Sequence, residues 1–313
     1  MLGYIIKRIL AVIPVMTIVA LLVFLLLRLT PGDPAAILAG DSATAAQLER
    51  IRESLGLNDP IHIQFLTWVR QLLQGDLGTS LISNTDVSRM IGQRIYPTMN
   101  LAVMTILISI LIAVPMGVTA AWRHRSWIDY GVMSFSVLGF SIPVFVIGYL
   151  FIQIFALELR WVPVQGYTAP SQDLGAFFQR AILPALTLAT IYVALIARMT
   201  RASMLEVLGE DYIRTARAKG VRENVVLFRH ALRNAAVPIM TIIGTGFALL
   251  ISGVVVTESV FNIPGIGRLT VDAILARDYP VIQAMILLTA GIYVLVNLII
   301  DVSYCLIDPR IRY

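Results

Sequence analysis

The sequence has little charge. Asp, Glu, Lys and Arg make up 14% of its 313 residues, against 58% hydrophobic residues, whereas a soluble globular chain is about one-quarter charged. A mean hydropathy of +0.82 also lies outside the range of soluble domains. Cys305 is the one cysteine, so an internal disulfide framework is excluded. This scarcity of charge predicts a protein that lies in a lipid bilayer.

The uncharged stretches are long enough to cross that bilayer. Residues 9–27, 95–122, 130–155, 181–197, 234–257 and 279–300 contain no Asp, Glu, Lys or Arg. A helix needs about 20 apolar residues to cross the hydrocarbon core, whereas barrel strands would alternate apolar and polar residues. The runs predict an all-α polytopic membrane protein with six transmembrane helices. The first run is longer than the core of a usual signal peptide and is followed by Arg28, so we expect an uncleaved helix.

The basic residues predict the orientation. Six spans place both termini on one side, and the short segments of that side carry an excess of arginine and lysine, whereas the short loops opposite balance arginines with acids. By the positive-inside rule both termini are cytoplasmic. The basic residues concerned, apart from a central charged stretch, are Lys7, Arg8, Arg123, Arg125, Arg310 and Arg312.

Residues 30–94 are then expected outside, and their pattern predicts a folded segment. Thr44 and Gln47 have the spacing of a capping box, and Gly56 is a helix-stop residue. Asp59 is expected to cap a second helix that ends near residue 75. A packed lid of surface helices and a docking platform for an external partner both fit this pattern.

Signatures of catalysis are missing. The sequence contains no GxxxxGK[ST], HExxH or GxSxG motif, and the three histidines lie in separate segments without metal-ligand spacing. The apolar runs hold none of the buried acids that ion-coupled carriers use. Glu258 and Asp301 fall at helix ends, where we expect structural roles with the charge reaching the membrane surface. The chain is therefore expected to be non-catalytic, to bind no cofactor or metal, and to be driven from elsewhere.

Charge is instead concentrated in residues 210–235, EDYIRTARAKGVRENVVLFRHALRNA. Apolar residues recur at helical spacing on both sides of Gly220, which predicts a hairpin of two helices. These residues are Leu205, Leu208, Tyr212 and Ala216 before the glycine, and Val225, Phe228 and Leu232 after it. The hairpin could bind anionic lipid headgroups or dock a cytoplasmic protein. Binding to DNA is disfavoured, because the short connections to the membrane would keep the hairpin from entering a DNA groove. Small residues at the turn and mixed charges favour docking.

The same stretch resembles a known family. "EDYIRTARAKG" followed by "RHALRNA" is similar to the cytoplasmic loop of the membrane permease subunits of binding-protein-dependent ABC importers, in the branch for dipeptides, oligopeptides, nickel and glutathione. Further matches run along nearly the whole chain: KRIL, LTPGDP, GDLGTS, WVPVQGY, PALTLA, ESVFNIPGIGRL, RDYPVIQ and DPRIRY. The general loop pattern begins Glu-Ala-Ala and closes with proline, whereas Arg214, Thr215, Ala216 and Arg233 stand here. This departure is common in the peptide branch, so it narrows the assignment within the family to that branch.

The resemblance implies a type I importer permease fold in the bacterial cytoplasmic (inner) membrane. It implies four regions: a cytoplasmic N-terminus with the first span (1–29), an extracytoplasmic helical segment (30–94), a permease core (95–306) with a cytoplasmic coupling loop (203–236), and a cytoplasmic tail (307–313). The expected partners are a paralogous permease, two ABC ATPase subunits, an extracytoplasmic substrate-binding protein and membrane lipid, but no nucleic acid. ATP and Mg²⁺ would bind the ATPase subunits. A stand-alone secondary carrier or a structural membrane scaffold is the alternative.

Two sets of functional residues follow from the resemblance and from the sequence of the third span. The first set would form a coupling helix inserted into a groove of the ATPase: Glu210, Asp211, Tyr212, Ile213, Arg214, Thr215, Ala216, Arg217, Ala218, Lys219 and Gly220. The second set surrounds the stretch GFSIP, where Pro143 lacks an amide hydrogen and must loosen the helix. Such an interruption either faces a cavity or is a plain kink. The candidate path-lining residues are Ser136, Gly139, Ser141, Pro143 and Gln153.

A cysteine at Gln71 tests the predicted orientation. Because residues 30–94 are expected outside, Gln71→Cys in a Cys305→Ser background should react with a membrane-impermeant thiol reagent in intact cells. Lys219→Cys is the matched control and should react only after the membrane is opened. Protection of residue 71 in intact cells would contradict the orientation.

Overall fold

The computed structural model of the chain describes residues 2–29, 35–36, 44–54 and 56–307. Regular structure in these ranges is helical, apart from one isolated β-bridge between Thr79 and Asp86, so the predicted all-α fold is confirmed. Leu55, most of the motif LTPGDP and all of the predicted tail after residue 307 lie outside the described residues.

We number the helices in chain order: α1 Leu2–Leu29, α2 Ala45–Ser54, α3 Ile61–Leu73, α4 Val87–Trp122, α5 Trp127–Ser141, α6 Val144–Phe151 continued by a π-helix Ile152–Glu158, α7 Leu174–Leu208, α8 Asp211–Ala218, α9 Glu223–Asn234 with a π-helical part Val226–Ala231, α10 Ala236–Gly253, α11 Val255–Val260, α12 Ile266–Ala276 and α13 Tyr279–Ile307.

The membrane spans follow the apolar runs. Among the described residues, α1, α4, α7 and α13 are each long and apolar enough to cross a membrane. By length and composition, two bent helix pairs are further candidate spans: α5 and α6 meet at 102°, and α9 and α10 meet at 64°. In the second pair α10 is the uncharged part, whereas α9 carries Arg229 and Arg233. Counting each bent pair as one span gives the six predicted crossings. The first bend falls at Pro143, as predicted, because proline cannot donate the hydrogen bond that would continue α5.

Helices α4 and α7 pack along each other and form the centre of the fold. Small residues permit this contact: a Cβ atom at Gly117 of α4 would lie 2.5 Å from the Cβ of Thr200 in α7. Helix α5 approaches α7 in the same way at Gly139, where an added Cβ would lie 3.1 Å from the Cβ of Ala194. Close backbone approach of this kind is how helices associate in lipid, where the hydrophobic effect supplies no driving force.

Loops that are far apart in sequence form one layer at the outer ends of α4 and α13. Ser80 donates a hydrogen bond of 2.5 Å to the buried Asp278 carboxylate, which also accepts the amide of Leu81 at 3.1 Å. Nearby, the amide of Gly166 donates to the carbonyl of Phe261 at 3.0 Å. The segments GDLGTS, WVPVQGY, ESVFNIPGIGRL and RDYPVIQ thus meet in this outer layer, which agrees with the predicted topology.

Glu258 holds the outer layer together and corrects an expectation. Its side chain is fully buried within the fold, whereas we expected a charge exposed at a helix end. Thr98 of α4 donates to one carboxylate oxygen at 2.5 Å, and the amide of Arg268 donates to the other at 2.9 Å. A Cβ atom at Gly265 would overlap this carboxylate. Burial raises the pKa of Glu258 above its ordinary value, and the hydrogen bonds from Thr98 and Arg268 act to lower it.

Helices α2 and α3 partly match their predicted ends. Thr44 and Gln47 form the predicted capping box: the amide of Thr44 donates to the Gln47 side chain at 2.9 Å. The predicted cap by Asp59 is wrong, because Pro60 stands at the N-cap of α3 and no side chain caps this end. Helix α3 is attached to α1 through Phe24, whose ring centroid lies 5.3 Å from that of Phe65 and 5.7 Å from that of Trp68.

Both ends of the described chain lie on the same side of the fold. Arg8 in α1 pairs with Asp301 in α13, with 3.1 Å between Nη1 and Oδ2. This contact supports the prediction that both termini face one side, and it agrees with the structural role expected for Asp301.

Thr98→Val tests the importance of the hydrogen bonds around Glu258. The Thr98 hydroxyl accepts the amide of Ile266 at 2.9 Å while it donates to Glu258, so valine would remove one hydrogen bond from the buried carboxylate and one from the Ile266 amide. We expect the free energy of unfolding to fall by about 2 kcal/mol, measured in detergent. Thr200→Val is the matched control, because the buried Thr200 hydroxyl has no hydrogen-bond partner within the described part of the chain. An equal loss in both variants would contradict a special role of the hydrogen bonds around Glu258.

Candidate functional site

The charged stretch folds as the predicted hairpin, which we call the charged hairpin and define as α8 and α9. Gly220 adopts a φ of +75° and ends α8, since only glycine takes this left-handed conformation without strain. The first helix is shorter than predicted: Leu205 and Leu208 belong to α7, and the chain breaks at Gly209 before α8 begins at Asp211. Asp211 at this N-terminus and Arg217 in the last turn both suit the helix dipole.

Two polar contacts close the charged hairpin. Arg217 in α8 donates to the carboxylate of Glu223 in α9 through Nη2 at 2.6 Å and through Nε at 3.2 Å. The side-chain amide of Asn234 donates to the Tyr212 hydroxyl at 2.7 Å. These contacts join the two helices at both ends, so the hairpin can move as one body.

One face of the charged hairpin is buried against the ends of α4 and α7. Ile213 is fully buried and belongs to one apolar cluster with Met204 of α7 and with Val118 and Ala121 of α4. The predicted apolar stripe of α9 is wrong at Val225 and Phe228, which are exposed, whereas Leu232 is partly buried and packs against this cluster as predicted. The residues of α9 that the cluster buries are Val226, Leu227 and Ala231.

The physical reason is the π-helical part of α9. The prediction assumed 3.6 residues per turn, whereas a π-helix bonds each residue to the fifth one along. Val226 and Ala231 are five residues apart and share the buried face. Val225 and Phe228 are thereby turned outward and are 37% and 51% exposed.

The exposed face of the charged hairpin combines aromatic groups with charge. Tyr212 and Phe228 are both about half exposed, next to a surface rich in arginine. Aromatic and arginine side chains are the residues that most often carry binding energy at protein interfaces. The exposed cations are Arg214, Arg217, Lys219, Arg222, Arg229 and Arg233, and the acids among them are Glu210, Asp211 and the half-buried Glu223.

The eleven predicted coupling residues therefore divide by exposure. Ile213 is buried in the apolar cluster and attaches the helix to the rest of the chain, whereas Ala216 is half-buried. Val225 and Phe228 were not predicted for this surface, and no sequence signal short of the π-helical register could have placed them there. The exposed members of the predicted set are Glu210, Asp211, Tyr212, Arg214, Thr215, Arg217, Ala218, Lys219 and Gly220.

The predicted path residues do not share one surface. Ser136 and Gly139 are buried, and Gly139 lies against Thr190 and Ala194 of α7. Ser141 and Gln153 are exposed; the Ser141 hydroxyl donates to the carbonyl of Val137, and Gln153 donates to Glu158 at 3.1 Å. Pro143 stands at the bend between α5 and α6. Within the described ranges no three His, Cys, Asp or Glu side chains are grouped so as to hold a metal ion.

The chain belongs to the family of binding-protein-dependent transport system inner membrane components. The sequence model of that family matches residues 113–313, and a model of the N-terminal region of such membrane components matches residues 1–102. The resemblance noted from the motifs is confirmed. The chain is a multi-pass inner-membrane permease subunit of an ABC import system, a non-catalytic component.

Individual relatives match end to end. The chain is 53% identical over 310 residues to the probable peptide ABC transporter permease protein y4tP of Sinorhizobium fredii, covering 99% of both chains. It is 46% identical over 314 residues to the glutathione transport system permease protein GsiC of Salmonella typhimurium, covering 100% of both. The fold is similar to that in an inward-facing structure of the MetNI methionine ABC transporter, with a TM-score of 0.59 and 15% identity over 70% of this chain and 96% of that one.

Ile213→Ala tests the attachment of the charged hairpin. Removing a fully buried isoleucine leaves a cavity, so we expect α8 to lose about 3 kcal/mol of local stability. The measurement is amide hydrogen exchange of residues 211–218 in detergent, which should speed up on the order of a hundredfold. Ile274→Ala, at a side chain that is 54% exposed, is the control and should leave exchange in α8 unchanged. Unchanged exchange in both variants would show that the hairpin is not held by this cluster.

Proposed function

We propose that this chain and a second permease subunit together form the membrane path of an ATP-driven importer for peptides or a glutathione-like solute. In this proposal the charged hairpin docks on an ABC ATPase subunit, and an extracytoplasmic binding protein delivers the cargo. ATP and Mg²⁺ are bound by two ATPase subunits and not by this chain.

The proposal rests on how the charged hairpin is attached. A docking element transmits force only if it is rigid and fixed to the parts that must move. The hairpin is closed by the Arg217–Glu223 pair and by the Tyr212–Asn234 hydrogen bond, and it is anchored to α4 and α7 through Ile213. Movement of a partner bound to the hairpin would therefore reach the two central helices directly.

The chemistry of the exposed face suggests the partner surface. Tyr212 and Phe228 supply aromatic contact area, while the surrounding arginines require an acidic or strongly polar rim on the partner. Glu210 and Asp211 at the start of α8 add the opposite sign, which favours one orientation of docking. We assign this docking role to the exposed residues of Glu210 to Gly220, with Val225 and Phe228 added to them.

A second permease subunit is proposed because the candidate path residues are split. Ser141 and Gln153 face outward from this chain, whereas Ser136 and Gly139 are packed within it. A polar path that uses the exposed pair would need another subunit to complete its wall. The bend at Pro143, which lies between them in sequence, would then allow the wall to change shape.

The outer side offers a surface for the binding protein. Helix α3 is attached to α1 by its aromatic face, and it exposes Ile61, Ile63 and Leu66 to the surroundings. We propose that α2, α3 and the loop that follows seat the binding protein above the outer layer. The cargo class is proposed from the relatives, which are named for peptide and glutathione transport.

Reconstitution tests the docking role. In proteoliposomes that contain the complete importer, Gly220→Trp or Arg217→Glu should abolish substrate-stimulated ATP hydrolysis and uptake of labelled peptide or glutathione, while the protein still inserts. Tryptophan at Gly220 strains a φ of +75° and adds bulk to the proposed interface; glutamate at residue 217 reverses a charge that partner docking would use.

The double variant Arg217→Glu/Glu223→Arg is the matched control, because it restores the pair within the hairpin but not the surface pattern. It should stay inactive. Normal uptake in the single variants would contradict docking through the charged hairpin, and uptake by the purified chain without ATPase subunits would instead indicate a stand-alone carrier.

A further inference from the structure

An ion pair with a buried carboxylate lies near the end of α7 that leads into the charged hairpin, and it involves residues that no motif pointed to. Asp129, near the start of α5, is buried, and Arg201 of α7 binds its carboxylate with two nitrogens. The contact from Nη2 to Oδ2 measures 2.8 Å. The amide of Arg125 also donates to Oδ2 at 2.9 Å, and His124 Nδ1 lies 3.2 Å from the same oxygen. The carboxylate therefore accepts from three donor groups, two on Arg201 and one on Arg125, and His124 Nδ1 also lies 3.3 Å from Arg201 Nη2.

The position of this pair connects two moving parts. Arg201 lies two turns before the end of α7 at Leu208, and α8 begins at Asp211. Between them, Met204 packs in the apolar cluster that contains Ile213. On the other side, α5 leads to the bend at Pro143. A displacement of the hairpin would move the end of α7, and the ion pair joins that end of α7 to α5.

The chemistry of the contact suits this position. Apolar packing would hold α5 against α7 equally well, because buried ion pairs add little to stability over well-packed hydrophobic groups. A guanidinium that binds a carboxylate with two parallel hydrogen bonds adds something else, namely a fixed geometry. Neither helix can rotate or slide without breaking both bonds together.

Two other contacts between α5 and α7 restrict rotation and sliding of the helices less. Gly139 contacts α7 through small apolar groups that allow sliding, and Arg198 of α7 lies over the Phe140 ring at 5.3 Å on the exposed side. Among these three contacts, the Arg201–Asp129 pair is the one that is directional and has a buried charged partner, Asp129.

We propose that Arg201 and Asp129 are positioning residues that pass movement of the charged hairpin through α7 to α5, so that the bent third span moves together with the coupling site. This inference rests on the proposed function of the hairpin. It assigns to the pair a role in the coupling of ATP hydrolysis to transport, separate from folding and from docking.

The test variant removes both charges. Asp129→Asn/Arg201→Gln avoids the uncompensated buried charge that a single substitution would leave. In proteoliposomes with the complete importer, we expect binding and hydrolysis of ATP to continue while the amount of cargo moved per ATP falls about tenfold. Arg198→Gln is the matched control, because it removes the same charge from the same helix one turn away and does not touch Asp129. It should transport as the wild type does.

A distance measurement separates positioning from a purely structural role. Spin labels at Tyr130→Cys in α5 and Asn224→Cys in α9, in a Cys305→Ser background, report whether the two elements move together. In the wild type their separation should be the same without nucleotide and with ATP bound. In the Asp129→Asn/Arg201→Gln variant the separation should shift or broaden when ATP binds.

The outcomes bear on the two proposals separately. A wild-type importer whose hairpin cannot be crosslinked to the ATPase overturns the proposed function. If the wild type crosslinks and transports but the Asp129→Asn/Arg201→Gln variant matches Arg198→Gln in coupling and in label separation, the positioning role alone is wrong. Failure of the double variant to insert or assemble would make the pair a folding requirement and would likewise overturn the positioning role.

Discussion

The contact between α4 and α7 is the axis on which the rest of the fold depends. In lipid, helices gain no hydrophobic free energy by associating, so close packing and polar contacts must hold them. Gly117 and Thr200 allow the two backbones to approach near the inner ends of the pair. The outer layer and the charged hairpin are both attached to these two helices. Thr98 at the outer end of α4 donates to Glu258. Val118 of α4 and Met204 of α7, at the inner ends, lie in the apolar cluster that contains Ile213.

Polar groups are used differently in the two layers. At the outer side, Glu258 and Asp278 are buried acceptors that collect amides and hydroxyls from distant loops. Each accepts a backbone amide from a loop, Leu81 for Asp278 and Arg268 for Glu258, and so gives that amide a partner inside the fold. At the inner side, Asp129 accepts from an arginine of another helix, and most of the remaining charge stays exposed on the charged hairpin. The outer layer is thus locked by hydrogen bonds, whereas the inner side keeps its charge available for a partner.

This division fits a non-catalytic subunit with the role proposed above, in which the charged hairpin transmits motion. A hairpin closed at both ends and anchored at Ile213 can carry force to α4 and α7. The 102° bend at Pro143 supplies a place where the third span can change shape without unfolding. Rigid elements joined at a few defined bends are what domain movements in proteins commonly use.

Local patterns determined much of this protein before any tertiary contact was considered. Uncharged runs predict the spans because the bilayer requires about 20 apolar residues per crossing, and Gly220 predicts the turn because the left-handed backbone there favours glycine. The capping box at Thr44 is equally local. Tertiary structure alone decided which hairpin face is buried, since the π-helical part of α9 changes the period. It also decided the burial of Glu258 and the pairing of Asp129 with Arg201. The partners of the latter pair lie 72 residues apart, and no periodicity within one helix can show which charge on another helix will meet it.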